Sequence, residues 1–335
     1  MTGVPPSLAP IGGDQPPGEL PGFAAVSAGP LGAAMILAAG FGSRLKPLTD
    51  LKPKPLFPVL NQPMLRRWLG RLRALGVRRA VVNAHHLAQD LKKAVDSWRD
   101  ELDGLEIVVL FEPVILGSGG GLKNAAPFLT ETFYLVNVDI FSDLDLALLA
   151  RRHLARPGRP ATLAAVERPD RATVSLAADG RVLGFRSPRP LPDEAAKLCG
   201  AGLMVVEPWF LRELPDGPSD VIEELGRWML RGPAPGAEVF APELWRDMGT
   251  LEEYWALNRD LAQGRIWAEN PRGLLGRLEG FVVAQAGAVV APGGRVADSV
   301  LWRGAVVEDG ASAVGAVVAG RVPAGETVAG GAVRP

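Results

Sequence analysis

Residues 33–44 read A-A-M-I-L-A-A-G-F-G-S-R, an apolar run that breaks into a glycine-punctuated loop ending in a cation. The run 33–38 has the length and composition of a strand buried in a parallel sheet. Beyond the loop, Met64, Leu65, Trp68, Leu69, Leu72 and Leu75 recur at helical spacing, with Arg66, Arg67, Arg71 and Arg73 on the opposite face. A strand at 79–82, a helix at 87–102, a strand at 106–111, a second glycine-rich loop at 117–121 and a strand at 132–138 follow. Strands alternating with helices specify an α/β protein with a doubly wound, mainly parallel sheet. Ligands of such a sheet sit beyond the carboxyl ends of its strands.

Shorter strands are expected at 161–167, 171–177 and 182–185, with Asp179-Gly180 as a turn, and a longer buried one at 199–207. Asp220 with Glu223, and Thr250 with Glu253, have the spacing of helix-capping pairs. After about residue 271 the texture changes. Residues 281–335 are rich in Val, Ala and Gly and carry only eight charged side chains. Val290 and Val296, Val300 and Val306, and Gly304 and Gly310 stand six apart, whereas glycines after Gly310 recur every five. Short strands turning at glycines on a hexad period suggest a small left-handed parallel β-helix. The expected organisation is a flexible Pro/Gly-rich tail over 1–30, a Rossmann-like α/β catalytic domain over 31–268, and a hexapeptide-repeat β-helix over 271–335.

The 36 Lys and Arg against 37 Asp and Glu leave a formal charge of −1, which argues against a general nucleic-acid binder or a polybasic protein of the membrane surface. The first 30 residues hold seven prolines, six glycines and no Lys or Arg, unlike a secretory signal, so a cytoplasmic location is expected. One cysteine, Cys199, excludes a disulfide framework and a cysteine zinc site, and three histidines leave little for a histidine cluster.

The chemistry concentrates in Gly40–Val59, G-F-G-S-R-L-K-P-L-T-D-L-K-P-K-P-L-F-P-V. Gly40 and Gly42 let backbone N–H groups approach a phosphate chain. Arg44, Lys46, Lys52 and Lys54, on a stretch stiffened by four prolines, suit a polyanion such as a triphosphate. A dinucleotide fingerprint fits poorly, because its third glycine would fall at Leu45, and a Walker loop is absent.

Over these twenty positions the segment resembles the signature of the sugar-1-phosphate nucleotidyltransferases, G-x-G-x-R-(L/M)-x-P-L-T-x-x-x-P-K-P-L-x-P-V. The resemblance implies that Arg44 stabilises a leaving pyrophosphate and that Lys54 contacts substrate phosphates. Glu112-x(3)-Leu116-Gly117-Ser118-Gly119-Gly120-Gly121 is similar to the family's base-enclosing loop. Ala39, Gly40, Gly42, Gly117 and Gly120 would then line the nucleotide, with Glu112 contacting the base. Asn137-Val138-Asp139 resembles the family's metal-binding N/G-x-D, and Trp245-Arg246-Asp247-Met248-Gly249-Thr250 its W-x-D-(I/V/M)-G-T. Asp139 and Asp247 are thereby the implied ligands of Mg2+. Asn137 and Gly202 would face the sugar.

One departure stands out. The family's acceptor-binding Phe-x-Glu-Lys-Pro is replaced by Phe185-Arg186-Ser187-Pro188-Arg189-Pro190, which leaves Arg186, Arg189 or Lys197 to supply the cation. Asn83, His85 and His86 match an N-x-H-H pattern of bacterial relatives, but no general base is required, because a sugar phosphate is already an anion at neutral pH. The resemblance implies Mg2+-dependent nucleotidyl transfer from an NTP to a sugar 1-phosphate, with GTP and mannose 1-phosphate as the leading pair. Uridylyl or thymidylyl transfer to another sugar 1-phosphate, a regulatory relative without catalysis, and a CTP-dependent aminoalcohol-phosphate transferase are the alternatives. An acyltransferase β-helix is disfavoured, because no histidine follows His153. Homo-oligomerisation is a further expectation.

Overall fold

The computed structural model describes residues 28–333, so most of the segment read as a flexible tail lies outside the described residues. Strand β1 (Ala33–Leu37) is followed by a short hairpin, β2 (Pro58–Val59) and β3 (Gln62–Pro63). Then come α1 (Met64–Ala74), β4 (Arg79–Ala84), α2 (Ala88–Ser97) and β5 (Glu106–Phe111). Helix α3 (Gly117–Ala125), β6 (Phe133–Asn137), β7 (Ile140–Ser142), α4 (Leu146–Leu154) and β8 (Ala161–Val166) complete the first half. The second half runs β9 (Val174–Leu176), β10 (Val182–Phe185), β11 (Ala196–Val206), α5 (Val221–Trp228), β12 (Gly236–Phe240), β13 (Trp245–Asp247) and α6 (Leu251–Ala262).

The main sheet runs β12-β8-β11-β6-β1-β4-β5, with β9 and β10 continuing off β11. It is mainly parallel, as the alternation of elements requires, and β11 runs antiparallel to both of its neighbours β6 and β8. The chain leaves β1 towards β4 and β5, then returns to its other side as β6. The carboxyl ends of β1 and β6 therefore flank the crevice where such sheets bind ligands. Alternate residues of β1 serve two cores. Ala34 and Ile36 pack with Trp68 of α1 and Tyr254 of α6, while Ala33 and Met35 pack with Leu122 of α3 and Leu225 of α5.

Three sequence expectations need correction. Arg67 and Arg71 are buried, because the β2–β3 hairpin and the loop after β7 fold over them. Arg67 donates to the Val59 carbonyl and Arg71 to those of Ser142 and Leu144. The segment Gly117–Gly121 is the first turn of α3 rather than a loop. Its glycines permit contact that a side chain would block, since a Cβ on Gly120 would lie 2.3 Å from the Gly217 carbonyl oxygen. Finally, the α/β unit closes before residue 268, because β14 (Ile266–Ala268) pairs in parallel with β15 (Arg277–Ala284), the first long strand of the C-terminal stack.

That stack consists of parallel strands with a β-helix-like inner core of Val282, Ala284, Val290, Val296, Leu301, Val307, Val318 and Val322. The hexad period holds only at its start, where Arg277 stands beside Arg295. Arg295 then pairs with Ser312, and Ser312 with Thr327, so the turn of chain shortens to 17 and then 15 residues as the glycine spacing falls to five. The outer side chains Phe281, Val283, Val300, Trp302 and Val317 join the core of the α/β unit. Among the described residues, no helix is long and apolar enough to cross a membrane.

Candidate active site

The loop after β1 turns at Gly42, whose left-handed backbone (φ 60°) suits glycine. A short 3-10 turn, Ser43–Leu45, then presents Arg44, and another, Lys54–Leu56, presents Lys54. A Cβ on Gly42 would lie 3.0 Å from Thr49 Cγ2 and in ordinary contact, 3.4 Å, with the Lys54 Cβ, so the signature folds back closely on this glycine. Lys54 is almost wholly buried and its Nζ ion-pairs with Asp139 at the end of β6.

The floor is held by a buried polar brace across three strand ends. The Ala38 amide donates to Asn83 Oδ1 (2.7 Å), Asn83 Nδ2 donates to Glu112 Oε1 (2.8 Å), and the Leu116 amide donates to Glu112 Oε2 (3.1 Å). His85 and His86 are likewise occupied, bonding the backbone carbonyls of Glu112 and Thr49 at 2.7 Å. On the far wall the Gly119 amide donates to the Ser219 carbonyl (2.9 Å), and the Val221 amide donates to Ser118 Oγ (2.9 Å), which pins the start of α3 to that of α5.

Asp139 and Asp247 are brought together by a two-stranded ribbon. Strand β13 pairs antiparallel with β7, so Asp247 sits opposite Ile140, and the Met248 amide donates to the Asp139 carbonyl at 2.9 Å. Burial raises the Asp247 pKa above the usual carboxylate value and the Asp139 charge adds to it, while Lys54, Arg171 and Arg44 oppose. Arg171 Nη1 donates to Asp247 Oδ2 at 2.9 Å, and its Nη2 ion-pairs with Glu253. At Gly249 these groups converge. A Cβ there would lie 3.0 Å from Arg44 Nη2, 3.1 Å from Asp247 Oδ1 and 3.1 Å from Glu253 Oε2.

Between the loop after β1, the start of α3 and the end of β6 lies a cavity of about 380 Å³. Its walls include Ala39, Gly40, Gly42, Ser43, Arg44, Lys54, Asn83, Gly117, Ser118, Asn137, Asp139 and Gly249. A polyanion entering it meets glycine backbone, a guanidinium, an ammonium and a carboxylate suited to a hard cation.

The family model for nucleotidyl transferases matches residues 33–264. The chain belongs to this nucleotidyl transferase family. It is 29% identical over 252 residues to a UTP–glucose-1-phosphate uridylyltransferase of Synechocystis, a match covering 70% of this chain and 64% of that enzyme, under two thirds of its length. It is also 29% identical over 302 residues to a mannose-1-phosphate guanylyltransferase of Mycobacterium tuberculosis, covering 85% of this chain and 79% of the relative. A solved UDP-glucose pyrophosphorylase carrying UDP-glucose shares the fold, with TM-score 0.59 and 15% identity over 70% of this chain and the whole of that one.

Within this nucleotidyl transferase chain, eight sequence-derived positions line the cavity: Ala39, Gly40, Gly42, Arg44, Lys54, Gly117, Asn137 and Asp139. Gly202 abuts it, since a Cβ there would lie 3.1 Å from Asn137 Nδ2. Glu112 and Gly120 do not reach it. Glu112 is fully buried with both oxygens engaged in the brace, so the base-contacting role does not fit, and Gly120 packs against Gly217. The replacement cations also miss it. Arg186 ion-pairs with Glu223 at 3.7 Å, Lys197 donates to the Ser187 carbonyl, and Arg189 is exposed. Sequence reading passed over Arg171, taken as the opening residue of a strand, and Asn83. Asn83 lay in a recognised pattern; nothing local marks Arg171 for the site, because the site carboxylates it pairs with are 76 and 82 positions away.

Proposed function

We propose that the chain transfers a nucleotidyl group from an NTP to a sugar 1-phosphate, releasing pyrophosphate and forming an NDP-sugar. The observation carrying this reading is the convergence of Arg44 and Lys54 with Asp139 and Asp247 beside a glycine-walled cavity at the sheet's switch point. GTP with mannose 1-phosphate is the leading pair, supported by the guanylyltransferase relative aligned over most of both chains. UTP with glucose 1-phosphate is the second, supported by the uridylyltransferase relative.

In the reaction an acceptor phosphate oxygen bonds to the α-phosphorus, the bond from that phosphorus to the bridging oxygen breaks, and pyrophosphate carries the electron pair away. The attacking oxygen is already anionic, so no base is required, in accord with His85 and His86 being bound to backbone carbonyls. Arg44 and Lys54 hold the triphosphate and offset charge growing on the leaving group. Positioning and electrostatics supply most of the acceleration.

The carboxylates fit Mg2+: Asp139 and Asp247 are hard oxygen donors brought together by the β7–β13 ribbon and the Met248 amide bond to the Asp139 carbonyl, and each is neutralised here by a protein cation. They would hold the ion, which supplies charge neutralisation on the phosphates when bound. The test is pyrophosphate release with Mg2+ across a matrix of NTPs and sugar 1-phosphates. Turnover with one NTP and one hexose 1-phosphate supports the reading. No release from any pair defeats it, and release only with CTP and an aminoalcohol phosphate moves the chain to another transferase class.

A further inference from the structure

The signature loop supplies cations for the triphosphate, but an in-line displacement also needs one for the acceptor, whose phosphate approaches opposite the leaving group. None of Arg186, Arg189, Lys197 and Arg171 lines the cavity itself; Arg186 is engaged with Glu223 and Lys197 with the Ser187 carbonyl, whereas Arg171 bonds Asp247. Arg171 reaches the carboxylates instead, from the short 3-10 turn Pro169–Arg171 that joins β8 to β9. It belongs to the antiparallel half of the sheet, with Gly202 of β11, whereas Arg44 and Lys54 come from the loop after β1. About a third of its side chain is open to solvent.

We infer that Arg171 binds the phosphate of the acceptor sugar, in place of the lysine absent from the stretch after β10. This rests on the proposed transfer reaction. The guanidinium meets three carboxylates: Nη1 donates to Asp247, Nη2 is paired with Glu253, and Nε lies 3.8 Å from Asp170 at the exposed edge. Glu253 is itself fixed, accepting the Gly249 amide at 3.1 Å from the first turn of α6. A cation taken up by Asp247 leaves Nη1 to a phosphate oxygen, while Glu253 keeps the rest of the fork in place. A planar guanidinium suits this division, because two parallel edges serve two oxygen partners at once. The acceptor's phosphate then lies beside Asp247, facing the triphosphate held by Arg44 and Lys54.

The experiment compares unmodified enzyme, Arg171→Ala and Arg171→Lys, using GTP with mannose 1-phosphate and UTP with glucose 1-phosphate. Arg171→Ala is expected to raise the acceptor KM at least ~10-fold while NTP KM and the Mg2+ concentration for half-saturation stay within about twofold. Arg171→Lys recovers part of the loss. Calorimetry gives a readout independent of turnover: the Kd of the product, GDP-mannose or UDP-glucose, which retains the acceptor's phosphate, weakens by about the same factor, and that of GMP or UMP does not. An unchanged acceptor KM overturns the assignment. So does a rise in Mg2+ half-saturation shared equally by both substrates, the result expected if Arg171 only neutralises Asp247. Should Arg171→Ala fail to fold, Arg171→Lys still decides, because a severalfold rise confined to the acceptor KM is required of it. Absence of release by the unmodified enzyme from every pair of the NTP and sugar 1-phosphate matrix defeats the transfer reading, and the Arg171 assignment with it.

Discussion

Trp302 of the C-terminal stack donates its indole N–H to the Tyr254 hydroxyl of α6 at 3.0 Å, and Tyr254 donates in turn to the Pro58 carbonyl at 2.7 Å. Phe57 packs edge-on against both rings, with centroids 5.4 Å from Tyr254 and 4.9 Å from Trp302. The stack is thus joined to the end of the signature loop, four residues beyond Lys54. Trp302→Ala removes a buried indole and leaves the tyrosine hydroxyl without that donor, so it should destabilise by about 3–5 kcal/mol. Trp302→Phe keeps most of the ring and should lose less than half as much. Urea unfolding of both variants checks this; equal losses would show that packing at Trp302 is not what joins the units.

Glu112→Gln separates a bracing role from a base-contacting one. Both Glu112 oxygens accept N–H groups, from Asn83 and Leu116, inside a fully buried setting. A glutamine has one oxygen, so its amide nitrogen would face a donor, at a cost of about 1–3 kcal/mol. Stability should fall by that amount in denaturant titration, with NTP preference unchanged. A changed choice between GTP and UTP at unaltered stability would restore the base-contacting role.

The alternation of elements and the signature loop were legible because each rests on short-range rules: periodicity, and a run of glycines, prolines and cations. Asp139 and Asp247 were identified through the resemblance, and the ribbon of β7 and β13 that unites them has no local marker. Gly117–Gly121 was misread because glycine runs disfavour helix in isolation. Here the close approach of Ser219 and Gly217 to α3, possible only without side chains, overrides that preference. Arg67 and Arg71 were misplaced for a related reason: a helical wheel shows an opposite face but not the hairpin that covers it. The hexad spacing gives way as the turn shortens from 18 residues to 17 and then 15, in step with the five-residue glycine spacing after Gly310.

Arg44→Ala and Asp139→Asn test the phosphate-binding centre. Each removes one charged end from the cavity wall, and neither side chain belongs to the apolar cores. Turnover should fall by at least ~10²-fold, the scale of losing a charge-stabilising group at a reacting centre. The melting temperature of Arg44→Ala should stay near that of the unmodified protein, whereas Asp139→Asn, which leaves the buried Lys54 without its anionic partner, should fold but melt lower. Full pyrophosphate release in either variant would remove that residue from the mechanism.

Lys52 gives a pH-dependent test of the contact between units. Its ammonium lies 5.4 Å from the Trp302 ring centroid, and burial, followed by the neighbouring Arg303, lowers its pKa below the usual 10.5. The folded protein therefore releases this proton at lower pH than the unfolded chain does. Between those two values the unfolded state binds more protons, so this group makes stability rise with pH. Lys52→Met lacks that rise. The variant's stability relative to the unmodified protein should be greatest near neutrality and shrink as pH approaches 10.5. Parallel stability profiles from pH 7 to about 10 would contradict the lowered value.

Gly249→Ala tests whether the convergence of charges around that glycine matters to the chemistry. The backbone there accommodates alanine without a left-handed turn, since Gly249 is not among the positive-φ glycines. The new methyl instead meets the working ends of Arg44, Asp247 and Glu253 at 3.0–3.1 Å. Each must yield by a few tenths of an ångström, and Glu253 is tied to both the Gly249 amide and Arg171. The displacement therefore falls on groups that set phosphate geometry rather than on packing. Turnover should drop by up to ~10²-fold, the penalty for misplacing reacting groups by fractions of an ångström to one ångström. Stability should change by less than about 1 kcal/mol, because only mobile charged ends are disturbed. If turnover and acceptor KM both match the unmodified enzyme, Arg44 and Asp247 do not need their present spacing. If the protein instead unfolds, the capping turn of α6 rather than the charge cluster is what requires a glycine.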